Sequence, residues 1–177
     1  MKSLLQYHIP FTGLKLGKHL FEYEIDEHFF SEFEYSLVKN ARLTVDLELD
    51  KQETIIILDF HLTGDIFLNC DVCLSDFPSA IDITEKQIAK YDDENLEDDT
   101  DEIIVLNRKD QEIDVSLLIY EYINLAVPYI NRCNDEGNTQ WCDKTMIEKL
   151  QQLSAKQEEP TDVADPRWDA LKKIKEQ

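Results

Sequence analysis

The chain has 177 residues, of which 42% are hydrophobic and 10% aromatic, so it can bury a real core. Eighteen Lys and Arg against 38 Asp and Glu give a formal net charge of −20. This excess of acid argues against a protein whose whole surface binds nucleic acid, because phosphates are bound mainly through Lys and Arg. It also disfavours an anionic membrane surface. We therefore expect neither a DNA nor a membrane partner.

The N-terminal residues break their apolar run too early for a signal peptide, so a cytoplasmic protein with reduced cysteines is expected. The first 75 residues are rich in β-branched and aromatic side chains. This pattern predicts strands at residues 4–9, 20–25, 41–49 and 54–63. The polar residues 50–53 predict a turn that joins the last two strands in a hairpin.

Between the second and third strands, Asp26 is predicted to cap a short helix whose phenylalanines at 29, 30 and 33 face inward. A further strand pair is predicted at 80–84 and 86–91, and a short strand at 103–106. Eight of the eleven residues in 92–102 are acidic, which is typical of a mobile loop.

Asp114 is predicted to cap a helix that runs to about Val127 and is closed by Pro128. A second helix is predicted near 143–155. The predicted class is α+β, with a mainly antiparallel sheet in the N-terminal region followed by a helical C-terminal third. Residues 1–155 are predicted to form one domain, and residues 156–177 a polar linker with a short C-terminal helix.

That last helix begins at Asp165-Pro166 and carries an apolar side with Trp168 and Leu171. An isolated helix of this length is marginal in water. Either Trp168 docks on the domain or the segment folds against a partner. The candidate partner-binding residues are Arg167, Trp168, Leu171 and Lys172.

The four cysteines are the candidate metal ligands: Cys70, Cys73, Cys133 and Cys142. Cys70 and Cys73 form a CxxC just after a predicted strand, a spacing that lets two thiolates bind one tetrahedral zinc. Cys133 and Cys142 are eight residues apart, which is a weaker signal. Metal-free surface cysteines or buried small hydrophobic residues are the alternatives. A thioredoxin-type redox role is disfavoured because no βαβ unit surrounds the CxxC.

The sequence offers no catalytic site, since its four histidines are scattered and no HExxH, GxSxG or phosphate-binding glycine loop occurs. No small-molecule substrate is expected. Aromatic residues at 21–35 alternate with glutamates instead of basic residues, which favours core packing over RNA stacking. An acidic protein of this kind suits a basic protein partner or local RNA contacts.

Three blocks resemble the YceD family of large ribosomal RNA subunit accumulation proteins, long catalogued only as a domain of unknown function. The first is Gly64 followed six residues later by Cys70-Asp71-Val72-Cys73-Leu74. The second is residues 113–128, and the third is the closing DPR-x-x-x-L at 165–171. Cys133 and Cys142 lie where other members place further Cys or His residues, although this chain lacks a second close cysteine pair.

This resemblance implies a bacterial, non-enzymatic factor that supports accumulation or processing of 23S rRNA. Its partner would be a ribosomal protein or a large-subunit rRNA precursor. The only cofactor expected is the structural zinc that the cysteine spacing allows. Two alternatives are a zinc-binding interaction module unrelated to ribosomes and, less favoured, a metal-dependent nuclease, which would need an open coordination position and a nearby base.

Overall fold

The computed structural model describes residues 3–91, 103–107, 109–133 and 139–154. The chain forms two compact units, residues 1–142 and residues 143–177. The predicted acidic loop at 92–102 and the predicted C-terminal helix lie outside the described residues. The predicted domain boundary after residue 155 also falls there and stays a prediction.

The first unit is built on a five-stranded sheet with the order β2-β3-β4-β5-β6. The strands of the unit are β1 (His8–Ile9), β2 (Gly17–Ile25), β3 (Asn40–Lys51), β4 (Ile55–Asn69), β5 (Asp76–Tyr91), β6 (Ile103–Leu106) and β7 (Ile113–Asp114). Strands β2 to β5 form an antiparallel meander, and β6 pairs with β5 in parallel. The short strands β1 and β7 form a separate antiparallel pair.

The helices are few and short. Among the described residues of the first unit they are α1 (Glu27–Ser31), α2 (Ser116–Leu125) and three 3₁₀ helices at Ser3–Tyr7, Phe11–Gly13 and Thr139–Trp141. The described part of the second unit contains α3 (Lys144–Leu153), which is capped by the Asp143 carboxylate. No helix in the described ranges has the length and apolar character needed to cross a membrane.

The predicted α+β class with a helical C-terminal third is therefore wrong. Over the described residues the chain is mainly β, and only α2 and α3, at ten residues each, are longer than five residues. The difference lies partly in the strands: β4 and β5 extend to 15 and 16 residues, whereas the helix that the sequence already ended at Pro128 spans only ten. The chain beyond it returns to the β4–β5 turn, where the Asn131 carbonyl accepts a hydrogen bond from the Asp71 N–H.

Two local predictions are also wrong. Residues 4–9 form mostly a 3₁₀ helix, with only His8 and Ile9 in a strand. Residues 80–91 belong to the single 16-residue strand β5 instead of two strands. Its polar middle, Thr84 to Lys86, resembles a turn in sequence, but it pairs in unbroken register with β4.

Several other local predictions are confirmed. The strands predicted at 20–25, 41–49 and 103–106 lie within β2, β3 and β6, the one predicted at 54–63 overlaps β4 from Ile55 onward, and β3 and β4 form the expected hairpin. Asp26 caps α1 by accepting a hydrogen bond from the His28 N–H. The predicted cap of α2 is displaced by one residue: Val115 occupies the N-cap position, although the Asp114 carboxylate still accepts a hydrogen bond from the Ser116 N–H.

The sheet has one buried face and one solvent-facing face. On β3 the buried positions alternate strictly, at Leu43, Val45, Leu47 and Leu49. Because side chains alternate across a strand, these residues define an inner face, and their neighbours define the outer face. The inner face forms the core together with apolar residues of the N-terminal segment, α1 and α2.

Helix α2 contacts the inner face through Tyr122. Its ring packs edge-on against Phe60 of β4 at a centroid distance of 5.3 Å. Its hydroxyl donates a hydrogen bond to the Gln87 side-chain oxygen of β5 at 3.3 Å. Burial, with a smaller contribution from the carboxylates of Glu85 and Glu121, raises the pKa of Tyr122 to about 12, so this donor keeps its proton at neutral pH.

Gly64 permits a close approach between β3 and β4. Its φ is +133°, a conformation that L side chains rarely adopt. A Cβ there would lie 2.3 Å from the backbone oxygen of Arg42, which is a severe clash. The pairing of β3 with β4 therefore depends on a glycine at this position.

We predict that Gly64→Ala lowers the free energy of unfolding by about 2–3 kcal/mol, because it adds both backbone strain and a clash with backbone. Gly17→Ala is the matched control, since Gly17 also has a positive φ (112°) but no atom within 4 Å of the added Cβ. The control should lose only about 1 kcal/mol. Urea unfolding followed by circular dichroism measures both, and equal losses would contradict the clash.

Candidate metal centre

Three cysteines meet at the turn between β4 and β5. Cys70 directly follows β4, and Cys73 lies three residues further along the turn. Cys133 comes from the segment after α2, and all three side chains are buried. Cys142 directly follows the 3₁₀ helix Thr139–Trp141 and is half-buried. The fold thus brings residues more than 60 positions apart into one cluster.

The sulfur atoms of Cys70, Cys73 and Cys133 all lie within 4.8 Å of one another. Cys73 Sγ and Cys133 Sγ are 3.3 Å apart, and both are free thiols. Cys142 is not within that group of three, but the thiols of Cys133 and Cys73 are near enough to affect its pKa. All four predicted ligands are therefore in one neighbourhood.

Cys70 Sγ accepts three backbone hydrogen bonds. The donors are the N–H groups of Val72 at 3.4 Å, Cys73 at 3.5 Å and Cys133 at 3.5 Å. Burial by itself raises the pKa of the Cys70 thiol, but these donors favour the thiolate and the net effect lowers it. A thiolate is the form of cysteine that binds metals.

The other two shifted thiols differ from Cys70. Burial raises the pKa of Cys133, and hydrogen bonds to Cys73 and Cys70 raise it further. Burial also raises the pKa of Cys142. Without a cation these two sulfurs would therefore stay protonated, and a bound metal ion would supply the charge that makes them thiolates.

A pair of reciprocal hydrogen bonds holds the two cysteine segments together. The Asp71 N–H donates to the Asn131 carbonyl at 2.8 Å, and the Asn131 N–H donates to the Asp71 carboxylate at 2.7 Å. Sequence reasoning missed both residues. Their only sequence signal was proximity to the cysteines, since Asp71 lies inside the CxxC and Asn131 lies two residues before Cys133.

Leu74 ends the cysteine turn with a φ of +60°, the only positive φ at a non-glycine position in the described residues. A bulky side chain is rarely found in this left-handed region, because its Cβ crowds the following carbonyl. The conformation lets the Leu74 N–H donate to the Cys70 carbonyl at 3.0 Å and so closes the turn. Leu74 itself is 67% exposed, so little burial offsets the strain.

The donor set fits a soft or borderline metal ion. Sulfur ligands select metals such as Zn²⁺ over Mg²⁺ or Ca²⁺, which take oxygen. Cys70, Cys73 and Cys133 can hold such an ion together, with Cys142 near enough to contribute. In the described part of the chain, this is the only cluster of three or more candidate ligands with its donor atoms this close, and it contains no histidine or carboxylate.

The predicted partner-binding residues of the C-terminal helix cannot be placed in the same way. Arg167, Trp168, Leu171 and Lys172 all lie outside the described residues, so their role stays a prediction.

Fold and site together define a mainly β protein whose longest hairpin carries a four-cysteine candidate metal centre at its turn. The chain belongs to the YceD family: residues 58–175 match the family model described as "Large ribosomal RNA subunit accumulation protein YceD". The matched region begins within β4 and includes all four cysteines. Comparison with curated proteins and with solved structures gives no match.

We predict that the free energy of unfolding of Leu74→Gly is about 1 kcal/mol higher than that of Leu74→Ala. Both substitutions remove the same exposed side chain, but only glycine relieves the left-handed backbone. Thermal and urea unfolding of the two variants measures the difference. An alanine variant as stable as the glycine variant would show that the turn stores no such strain.

Proposed function

We propose that this protein supports the accumulation of large-subunit ribosomal RNA in the cytoplasm as a non-catalytic binding factor. The observation that carries this proposal is the family match over residues 58–175, whose description names that role. The acidic composition supports a mode of action through contact with basic assembly partners, with local RNA contacts as a second route.

In this proposal the cysteine cluster holds a structural zinc. Cys70, Cys73, Cys133 and Cys142 would be the ligands, and the ion would fasten the β4–β5 turn to the segment after α2. The chemistry it supplies is charge and cross-linking: it converts thiols to thiolates and joins distant parts of the chain. The three N–H donors around Cys70 Sγ suit this role because they are already aimed at a thiolate.

A structural role fits the site better than a catalytic one. A catalytic zinc keeps an open position for water and has a general base nearby. Here three ligand side chains are buried, a fourth sulfur is close, and the described cluster includes no histidine or carboxylate that could act as a base. These features argue against the nuclease alternative.

We predict that the purified full-length chain contains one zinc per molecule and that a strong chelator lowers its melting temperature, because a structural metal contributes folding energy directly. Cys70→Ser and Cys133→Ser should lose the metal. Cys142→Ser should retain it with lower affinity, since its sulfur is the least buried. Native mass spectrometry and cobalt substitution monitored by absorption test this, and a metal-free chain insensitive to chelator would contradict it.

In cells depleted of the protein, we predict a selective fall in the ratio of large- to small-subunit rRNA and a matching loss of large subunits on gradients. Cells complemented with the wild-type protein should recover, whereas cells complemented with Cys133→Ser should not.

A binding factor acts in proportion to its amount, so graded depletion should lower the ratio of large- to small-subunit rRNA gradually. A normal ratio until almost all protein is gone would indicate catalytic turnover, and an unchanged ratio throughout would refute the proposed role.

A further inference from the structure

The outer face of the sheet is open to solvent and acidic. Every outer-face residue of β2 from Lys18 to Glu24 is exposed, and no outer-face position on β3 or β4 is buried. A groove of about 770 Å³ crosses the middle of this face. We call it the acidic groove and define it by the carboxylates Glu22, Asp46, Glu48 and Asp59, with Leu20 between them.

The strand register places these acids directly opposite one another. Glu22 on β2 faces Asp46 on β3, and Glu48 on β3 faces Asp59 on β4. Like charges in directly opposite cross-strand positions destabilise a sheet. The acidic groove therefore contains two repulsive pairs side by side, in a sheet where the inner face is regularly packed.

Only one of the two pairs is neutralised within the described chain. Lys18 binds Glu48 at 2.6 Å and Lys86 binds Asp59 at 3.0 Å. Neither Glu22 nor Asp46 has an ion-pair partner among the described residues. The neighbouring His61, opposite Asp46 on β4, instead contacts Asp82 at 2.8 Å.

We infer that the acidic groove binds an extended, Lys- or Arg-rich segment of a partner protein. Cationic side chains would relieve the Glu22–Asp46 repulsion, and Leu20, which is 78% exposed, offers an apolar contact between the charges. The volume suits several residues of chain instead of a single ion. The same charges repel RNA phosphates and the same face of a second copy.

This inference deepens the proposed function by giving the binding factor a partner class and a surface, and it rests on that function for its cellular meaning. The binding itself is measurable without any ribosome. Its failure and the failure of the proposed function are therefore separable.

The test uses the full-length protein and a fluorescein-labelled 12-residue peptide of alternating arginine and serine with one central leucine. A peptide with glutamine in place of arginine and a 12-nucleotide oligouridine serve as comparison probes. Fluorescence anisotropy at several salt concentrations should show binding of the arginine peptide that weakens steeply with salt, and no binding of the other two. Absence of arginine-peptide binding, or preferred binding of oligouridine, would overturn the inference.

The variant Glu22→Gln/Asp46→Asn should weaken peptide binding about tenfold, because it removes the two uncompensated charges. Glu34→Gln/Glu53→Gln removes the same net charge from exposed positions outside the groove and should change affinity by less than about twofold. Equal weakening in the two variants would mean that only overall charge attracts the peptide. Asp46→Asn alone, with an intermediate loss expected, provides a second test of the same site.

The groove variant should also unfold at a higher temperature than wild type, since it removes a repulsive pair. Weaker binding together with greater stability cannot be attributed to misfolding. In cells, normal peptide binding with an unchanged rRNA ratio on depletion would refute the proposed function but leave the groove. A changed rRNA ratio with no peptide binding would refute the acidic groove as a binding site but leave the proposed function standing.

Discussion

The long β4–β5 hairpin needs an anchor at its far end, and the cysteine turn provides one. At about 3.3 Å per residue, strands of 15 and 16 residues extend roughly 50 Å, and because the pairing of β3 with β4 ends at Asn40 and Phe67, the turn itself projects beyond β3. The anchor consists of the Cys70 sulfur with its three N–H donors and the reciprocal bonds between Asp71 and Asn131. The position of the chain after α2, and thus of Cys133, depends on this contact.

The two faces of the sheet contribute to stability in opposite directions. On the inner face, apolar alternation along β3 and β4 buries a continuous core against α1 and α2, where each side chain gains from leaving water. On the outer face, facing acids such as Glu22 and Asp46 raise the energy of the isolated protein. Residues that oppose stability in this way are typical of surfaces under selection for binding.

Much of this fold could be predicted from local patterns in the sequence. The alternation at Leu43–Leu49 and the carboxylate cap at Asp26 involve only neighbouring residues, so they could be predicted directly. The continuity of β5 could not, because its polar middle is a strand only through pairing with β4. The helical C-terminal third was wrong for a similar reason, since the path after Pro128 is set by contacts with a turn some 60 residues earlier.

In the candidate site, too, local features were predictable and contacts between distant residues were not. The CxxC spacing predicted two ligands, and Cys133 and Cys142 were named as candidates that a loop could bring close; the structure groups Cys133 with the CxxC pair. The supporting contacts were not predictable, because the Asp71–Asn131 bonds and the left-handed Leu74 arise only once the turn and the later segment meet. Opposed carboxylates on different strands became visible only with the register, which no single segment of sequence encodes.

The β1–β7 pair has a consequence for the order in which the chain folds. Its partners, His8 with Asp114 and Ile9 with Ile113, lie more than 100 residues apart. Closing so long a loop is entropically costly for an unfolded chain and brings only two residue pairs in return. The β2–β5 meander, by contrast, grows by successive hairpins between neighbours. We therefore expect the N-terminal residues to join after the meander has formed.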